Sequence, residues 1–167
     1  MSKSGLGRND PQFGVIRPIA LVPNVGTLSD GQSFQVGPLV MTAHLTGGHT
    51  PGGTSWTWKS CDGDHCANMV YADSLTAVSA DGFKFTGNAA YPNAVQDFEK
   101  SFSFLRSTPC DILLTPHPET SDLWGRLEAR EKGVKPNAMV DPSACRNLAD
   151  GSKESFRKRV AEESVRK

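Results

Sequence analysis

Two histidines and two hydroxyl residues in this sequence combine a side chain able to do chemistry with a backbone context able to present it. His49 follows Gly47 and Gly48 and precedes Thr50-Pro51-Gly52-Gly53, a tight loop whose glycines have the freedom to turn an imidazole into a cleft. His117 stands between Pro116 and Pro118, just after the apolar run Ile112-Leu113-Leu114, and both prolines hold it out of regular structure. An imidazole so placed can ligate a metal. Ser74 and Thr76 end a strand two residues apart, so their hydroxyls point to the same side. Residue type alone leaves both pairs open, because a lone loop histidine is as a rule a solvated side chain and hydroxyls at a strand end as a rule cap it.

Four cysteines add a second kind of chemistry. Cys61 and Cys66 bracket Asp62-Gly63-Asp64-His65, Cys110 precedes a short apolar strand, and Cys145 is read into the loop before the last helix. Spacing alone leaves free thiols and bridges equally open. A Cys110–Cys145 bridge would close a loop of about 36 residues, worth roughly 3 to 4 kcal/mol in the chain-entropy treatment, and such bonds persist in oxidising compartments. A metal held by the Cys61–Cys66 tip with His65 would have three donors in a spacing unlike structural zinc motifs.

The elements that must position these groups run strands first and helices later. Residues 1–11 are polar and Gly-rich and read as a flexible start. Residues 12–76 read mainly as strands: an edge strand from Val15 to Val25 interrupted by prolines, then Ser33 to Val36, Leu39 to Leu45, Thr54 to Lys59 and Ala67 to Asp73, with turns at Asp30-Gly31 and Gly37-Pro38. In the third of these Leu39, Met41, Ala43 and Leu45 alternate with Val40, Thr42 and His44, so one face is apolar. Residues 92–167 read mainly as helices with one strand at 111–115. Val95, Phe98, Phe102 and Leu105 recur at helical spacing from about Pro92 to Arg106, a second helix runs from about Glu119 to Lys132, and the charged tail from Ser152 reads as a surface helix over the sheet.

Bulk properties narrow the classes. The 167 residues carry 18 basic and 18 acidic side chains, so no net field draws the chain to a phosphate backbone or an anionic membrane; neither nucleic acid nor membrane is an expected partner. No apolar run approaches the ~20 residues that span a bilayer. The first twenty residues lack the basic-then-apolar order of an export signal, so the chain as written is expected in the cytoplasm.

Three segments read together carry a family resemblance: Thr42-Ala43-His44-Leu45-Thr46-Gly47-Gly48-His49-Thr50-Pro51-Gly52-Gly53-Thr54-Ser55-Trp56-Thr57-Trp58, Tyr71-Ala72-Asp73-Ser74-Leu75-Thr76, and Leu113-Leu114-Thr115-Pro116-His117-Pro118. They resemble the C-terminal half of the subclass B3 metallo-β-lactamases, zinc hydrolases that open β-lactams. The resemblance implies an α+β fold, half of the αββα sandwich, with a mostly antiparallel sheet and helices on one face, so that residues 1–167 form a single partial domain. It implies that His49 ligates the first of two zinc ions and His117 the second. It also implies that Ser74 and Thr76 contact the carboxylate of a β-lactam substrate, with Ser74 where other subclasses place a cysteine ligand, and that Cys110–Cys145 and Cys61–Cys66 are disulfides, as suits a periplasmic or secreted family. Asp73 and His44 are candidates to orient a ligand, whereas Trp56 and Trp58 read as packing. Gly47 stands where members of that family commonly have proline, and Glu119 where glycine commonly follows the His-Pro pair.

That family's upstream His-x-His-x-Asp-His string does not occur between Met1 and Thr42. The chain is therefore expected to be a fragment that holds zinc weakly or not at all, lacks turnover alone, and has the missing N-terminal half as its partner. The alternatives are another hydrolase of the same superfold, acting on thioesters or phosphodiesters, and a non-catalytic binding or complementation module. If the Leu39–Leu45 stripe faces the absent half, it meets water, and the chain is expected to be sticky or weakly folded.

Overall fold

The computed structural model describes residues 7–17, 20 and 22–165. Four antiparallel strands, β1 (Ser33–Val36), β2 (Leu39–Leu45), β3 (Thr54–Asp62) and β4 (His65–Tyr71), lie side by side in chain order, and β5 (Ile112–Leu114) joins β4 in parallel. Two of the hairpins turn on glycines in the left-handed region, Gly37 (φ 57°) and Gly63 (φ 56°), where a side chain would be strained. Three helices follow: α1 (Ala94–Ser107), α2 (Leu123–Glu131) and α3 (Ala144–Val165). Among the described residues no helix is long and apolar enough to cross a membrane.

Two of these helices, α1 and α3, cover one face of the sheet. From that face Val70 and Leu113 enter a core with Phe98, Phe102 and Leu105 of α1 and Phe156 of α3. The ring centroids of Phe98 and Phe156 lie 4.2 Å apart, and Phe85 meets Phe98 edge to face at 5.5 Å. Burying side chains of this size stabilises by roughly 1.5 to 3 kcal/mol each. The spacing of Phe98, Phe102 and Leu105 is what gives α1 its buried stripe. His44 of β2 joins the same face, stacked 4.3 Å from Phe104, and burial lowers its pKa against the opposing pull of Asp30.

α3 is fixed at both ends. Near its start, the buried Cys110 and Cys145 are disulfide-bonded, tying the approach to β5 to the first turn of the helix. Near its end the buried Glu163 carboxylate accepts from the backbone N–H of Phe85 and Thr86 (3.0 and 2.9 Å), from the Thr86 hydroxyl (2.8 Å) and from Arg159 (2.8 Å). Burial alone would raise the Glu163 pKa, but these donors outweigh it and the pKa is lowered.

Several sequence expectations need correction. Val15 to Val25 shows no strand among its described residues, while Pro18, Ile19 and Leu21 lie outside them. At its start a turn takes over: the Asp10 carboxylate accepts the Gln12 N–H (2.8 Å), and Phe13 and Val15 donate back to Asp10 and Gln12. The Glu119–Lys132 helix is broken. Pro118–Ser121 forms a 3-10 turn, Asp122 adopts a left-handed conformation (φ 51°), and α2 starts only at Leu123. The last helix begins at Ala144 rather than Ser152, so Cys145 is helical and not in a loop. The chain turns into it at Asp141, whose carboxylate accepts from the Ser143 N–H and hydroxyl, an Asx turn. This helix lies over the sheet as expected, reaching β5, but it is part of the core layer and not a surface cover, since it packs against α1 through the buried Phe156.

The opposite face of the sheet has no layer on it among the described residues. Leu39 and Leu45 are 37% and 53% exposed, and Phe34, Met41, Trp56, Trp58, Met69 and Tyr71 are only partly buried. Phe34 and Trp56 cover one another edge to face at 5.3 Å. The face alternation expected for β2 thus holds, with its apolar stripe turned away from the helices.

Two predictions follow from these faces. Replacing Leu39 and Leu45 together by Ser should reduce self-association in sedimentation and fluorescence of a bound apolar dye, while changing unfolding free energy by no more than about 0.5 kcal/mol per site. Glu163 carries a depressed pKa, so its contribution is complete above the ordinary carboxylate range and is lost as pH falls through it. Urea midpoints measured between neutral and acid pH should therefore drop for the wild type, whereas Glu163→Gln should start lower and show a shallower pH dependence.

Candidate active site

The site is built where the strand ends meet α1 and α3. Thr46 N–H donates to the Gly53 carbonyl (2.9 Å) and Gly48 N–H to the Thr50 carbonyl (3.1 Å), closing the loop that carries His49. α1 pins this loop from below: the Ser101 hydroxyl donates to the Gly47 carbonyl at 2.7 Å. Gly48 has φ 130°, and a Cβ there would stand 2.7 Å from the Phe98 ring, so only glycine lets the loop lie on α1. The Tyr91 hydroxyl, close over Gly47, donates to Asp97 at 2.8 Å. Burial first, and then this bond to Asp97, push the Tyr91 phenol well above its ordinary pKa, which keeps it a neutral donor.

His49 is held through both ring nitrogens. Nδ1 lies 2.7 Å from the Thr76 carbonyl oxygen, which can only accept, so Nδ1 carries the proton. Nε2 is then the bare nitrogen, and it receives the Gln12 side-chain amide at 2.9 Å. A carbonyl on one ring nitrogen that leaves the other as the available donor atom is the arrangement that orients ligating imidazoles. Thr76 also places its hydroxyl 2.9 Å from the Ser74 hydroxyl, so the two expected hydroxyls form a pair beside His49.

Asp73 couples these pieces. Its carboxylate accepts the Thr54 N–H at the start of β3 (3.1 Å) and the Ser74 N–H (2.8 Å). Gly53 leaves room for it, since a Cβ there would approach Asp73 to 2.9 Å. Below it the buried Ser55 hydroxyl accepts the Asp73 N–H and pairs with Thr46 at 2.7 Å.

His117 comes to the same place from β5. With Ser74, Thr76, Thr115, Leu148 and Ser152 it lines a cleft of about 40 Å³, room for a few waters at most. The Thr115 hydroxyl donates to the His117 carbonyl at 2.7 Å, and the His117 side chain itself is exposed. A larger hollow of about 670 Å³ adjoins the cleft through Leu75, Thr76, Leu148 and Ser152. It is bordered by Arg126 and Asp141, which pair at 2.9 Å. The Ser143 hydroxyl first, and Arg126 second, hold Asp141 down to about 2.

Of the residues singled out from the sequence, His49, Ser74, Thr76 and His117 are brought together. His44 is not: its Nε2 pairs with Thr57 at 2.9 Å on the helix-covered face. Trp56 and Trp58 belong to the open face, and Glu119 does not line the cleft. Gln12, Ser101 and Ser152 had no role from sequence reasoning. Ser101 had a signal, a polar residue on the apolar face of α1; Gln12, 37 positions from its partner, had none. Among the described residues no three His, Cys, Asp or Glu side chains gather to hold a metal ion. The donor set is short of a zinc site, which takes three or four protein ligands.

No family model matches the chain. Solved structures do. The Rm3 metallo-beta-lactamase is 48% identical with a TM-score of 0.92, covering 97% of this chain and 60% of its own. MEM-A1, a subclass B3 metallo-beta-lactamase isolated from a soil metagenome library, is 41% identical with a TM-score of 0.92, covering 99% and 62%. SMB-1, solved bound to 2-mercaptoethanesulfonate, is 38% identical with a TM-score of 0.87, covering 96% and 61%. The chain thus spans about three fifths of the length of the proteins it matches.

Gly48→Ala adds both backbone strain and overlap with Phe98, and should lower unfolding free energy by about 3 kcal/mol in denaturant titrations. Ser101→Ala removes the hydroxyl shared between the Gly47 and Asp97 carbonyls and should cost about 1 kcal/mol. In both variants the His49 ring nitrogen resonances should shift, because the loop leaves Thr76.

Proposed function

From the premise that the chain carries the C-terminal half of the subclass B3 metallo-β-lactamase fold, we propose that it forms the C-terminal part of a zinc-dependent β-lactam hydrolase. His49 serves one zinc ion and His117 the other. Two imidazoles do not make a metal site, and the remaining ligands belong to the part of the fold that these residues do not span. Zinc in the complete site supplies a hydroxide nucleophile and a Lewis acid.

What this chain contributes is placement. The Thr76 carbonyl fixes the His49 tautomer so that Nε2 is the ligating atom. The Ser74–Thr76 hydroxyl pair beside it supplies two donors for the substrate carboxylate. SMB-1, whose structure holds the anionic 2-mercaptoethanesulfonate, supports an anion-accepting role in this fold. Two disulfides fit an oxidising compartment, and we place the complete protein in the periplasm or outside the cell, where it confers resistance to β-lactams. The convergence of His49, Ser74, Thr76 and His117 on one end of the sheet carries this reading.

The test is complementation. The purified chain with zinc should not hydrolyse a chromogenic cephalosporin; addition or fusion of the N-terminal half of a relative such as Rm3 should restore turnover, and His49→Ala or His117→Ala should abolish it. Turnover by the chain alone, or restored turnover indifferent to both histidines, would overturn the assignment.

A further inference from the structure

The β3–β4 hairpin ends in a disulfide that its hydrogen-bonded ladder does not need. Cys61 and Cys66 are bonded and directly opposed in the register, and both are exposed. Of the seven registered pairs joining β3 to β4, the five from Trp56–Tyr71 to Ser60–Ala67 lie on the inner side of this bridge, so the ladder holds the strands whether or not the sulfurs are joined. The bridge spans a separation of 5 residues, against 35 for Cys110–Cys145. The shorter loop restricts the unfolded chain less. The two bridges also differ in access, because Cys110 and Cys145 are 6% and 1% exposed. Seven residues of β3 separate Cys61 from Thr54, about 23 Å at strand rise, so the tip is remote from the His49 loop.

We propose that Cys61–Cys66 is a thiol–disulfide exchange site, opened reversibly by small thiols while Cys110–Cys145 stays closed and the fold is kept. The incoming thiolate attacks one exposed sulfur. A mixed disulfide forms as the Cys61–Cys66 bond breaks, and the other cysteine leaves as a thiolate that takes a proton from water. A second thiol attacks the mixed disulfide and departs as the external disulfide, so two cysteines are reduced and two thiols are oxidised. The ladder keeps the freed sulfurs opposed. In the mixed disulfide the released cysteine can therefore expel the bound thiol and re-form the bridge; from the dithiol the bridge closes by the same exchange run backwards, with the external disulfide as oxidant.

The full chain is treated with dithiothreitol, sampled over time, alkylated and mapped by peptide mass. Cys61 and Cys66 should become alkylated about tenfold or more faster than Cys110 and Cys145, since thiol exchange follows access, with the far-UV circular dichroism unchanged at the point of full tip opening. Reduced glutathione should add to Cys61 or Cys66 and be lost on dialysis. Cys61→Ser with Cys66→Ser should melt close to the wild type, whereas Cys110→Ser with Cys145→Ser should melt well below it. Equal alkylation rates at all four cysteines, loss of structure on tip opening, or an equal fall in melting temperature for both double variants would each overturn the proposal.

Discussion

One-sided burial of a five-stranded sheet governs this molecule. Val70 and Leu113 face a core of Phe98, Phe102, Leu105 and Phe156, while Leu39, Leu45 and the two β3 tryptophans face outward with no layer over them among the described residues. Burial of apolar area is the dominant favourable term in folding, so the covered face supplies the stability and the open face withholds it. The same asymmetry sets the state of the site. Three of the contacts that pin the His49 loop come from the covered side: Ser101 on the Gly47 carbonyl, Phe98 beneath Gly48, and Tyr91 tied to Asp97. The loop that carries His49 is therefore held firmly, while among the described residues no three His, Cys, Asp or Glu side chains gather beside it.

Short polar links transmit that rigidity to the cleft. Asp73 joins the start of β3 to Ser74 through two backbone donors, and Thr76 joins Ser74 to the His49 ring. Each link depends on a neighbour that yields space, Gly53 for Asp73 and Gly48 for the loop as a whole. A methyl group at either glycine would displace the groups that position the imidazole.

The legible parts of the sequence were those with a local cause. The β2 alternation, the aromatic stripe of α1 and the glycine turns each follow from residue spacing, and His49 and His117 stand out through the glycines and prolines around them. What failed did so where a side chain overrode the pattern. Asp10 captures the Gln12 N–H in a turn that runs into the start of the expected strand, Asp122 breaks a helix by turning left-handed, and the Asx turn at Asp141 precedes a helix that begins eight residues before its apolar spacing becomes evident. Gln12 on His49 and Glu163 under Phe85 are long-range contacts with no sequence period to announce them.

The account rests on the donor count at the strand ends. Equilibrium dialysis of the purified chain against micromolar zinc, with His49→Ala and His117→Ala beside it, tests it most directly. The account predicts negligible zinc retained by the chain alone and retention on adding the complementary half that is lost with either histidine. A pair of ions held tightly by the chain alone would contradict it.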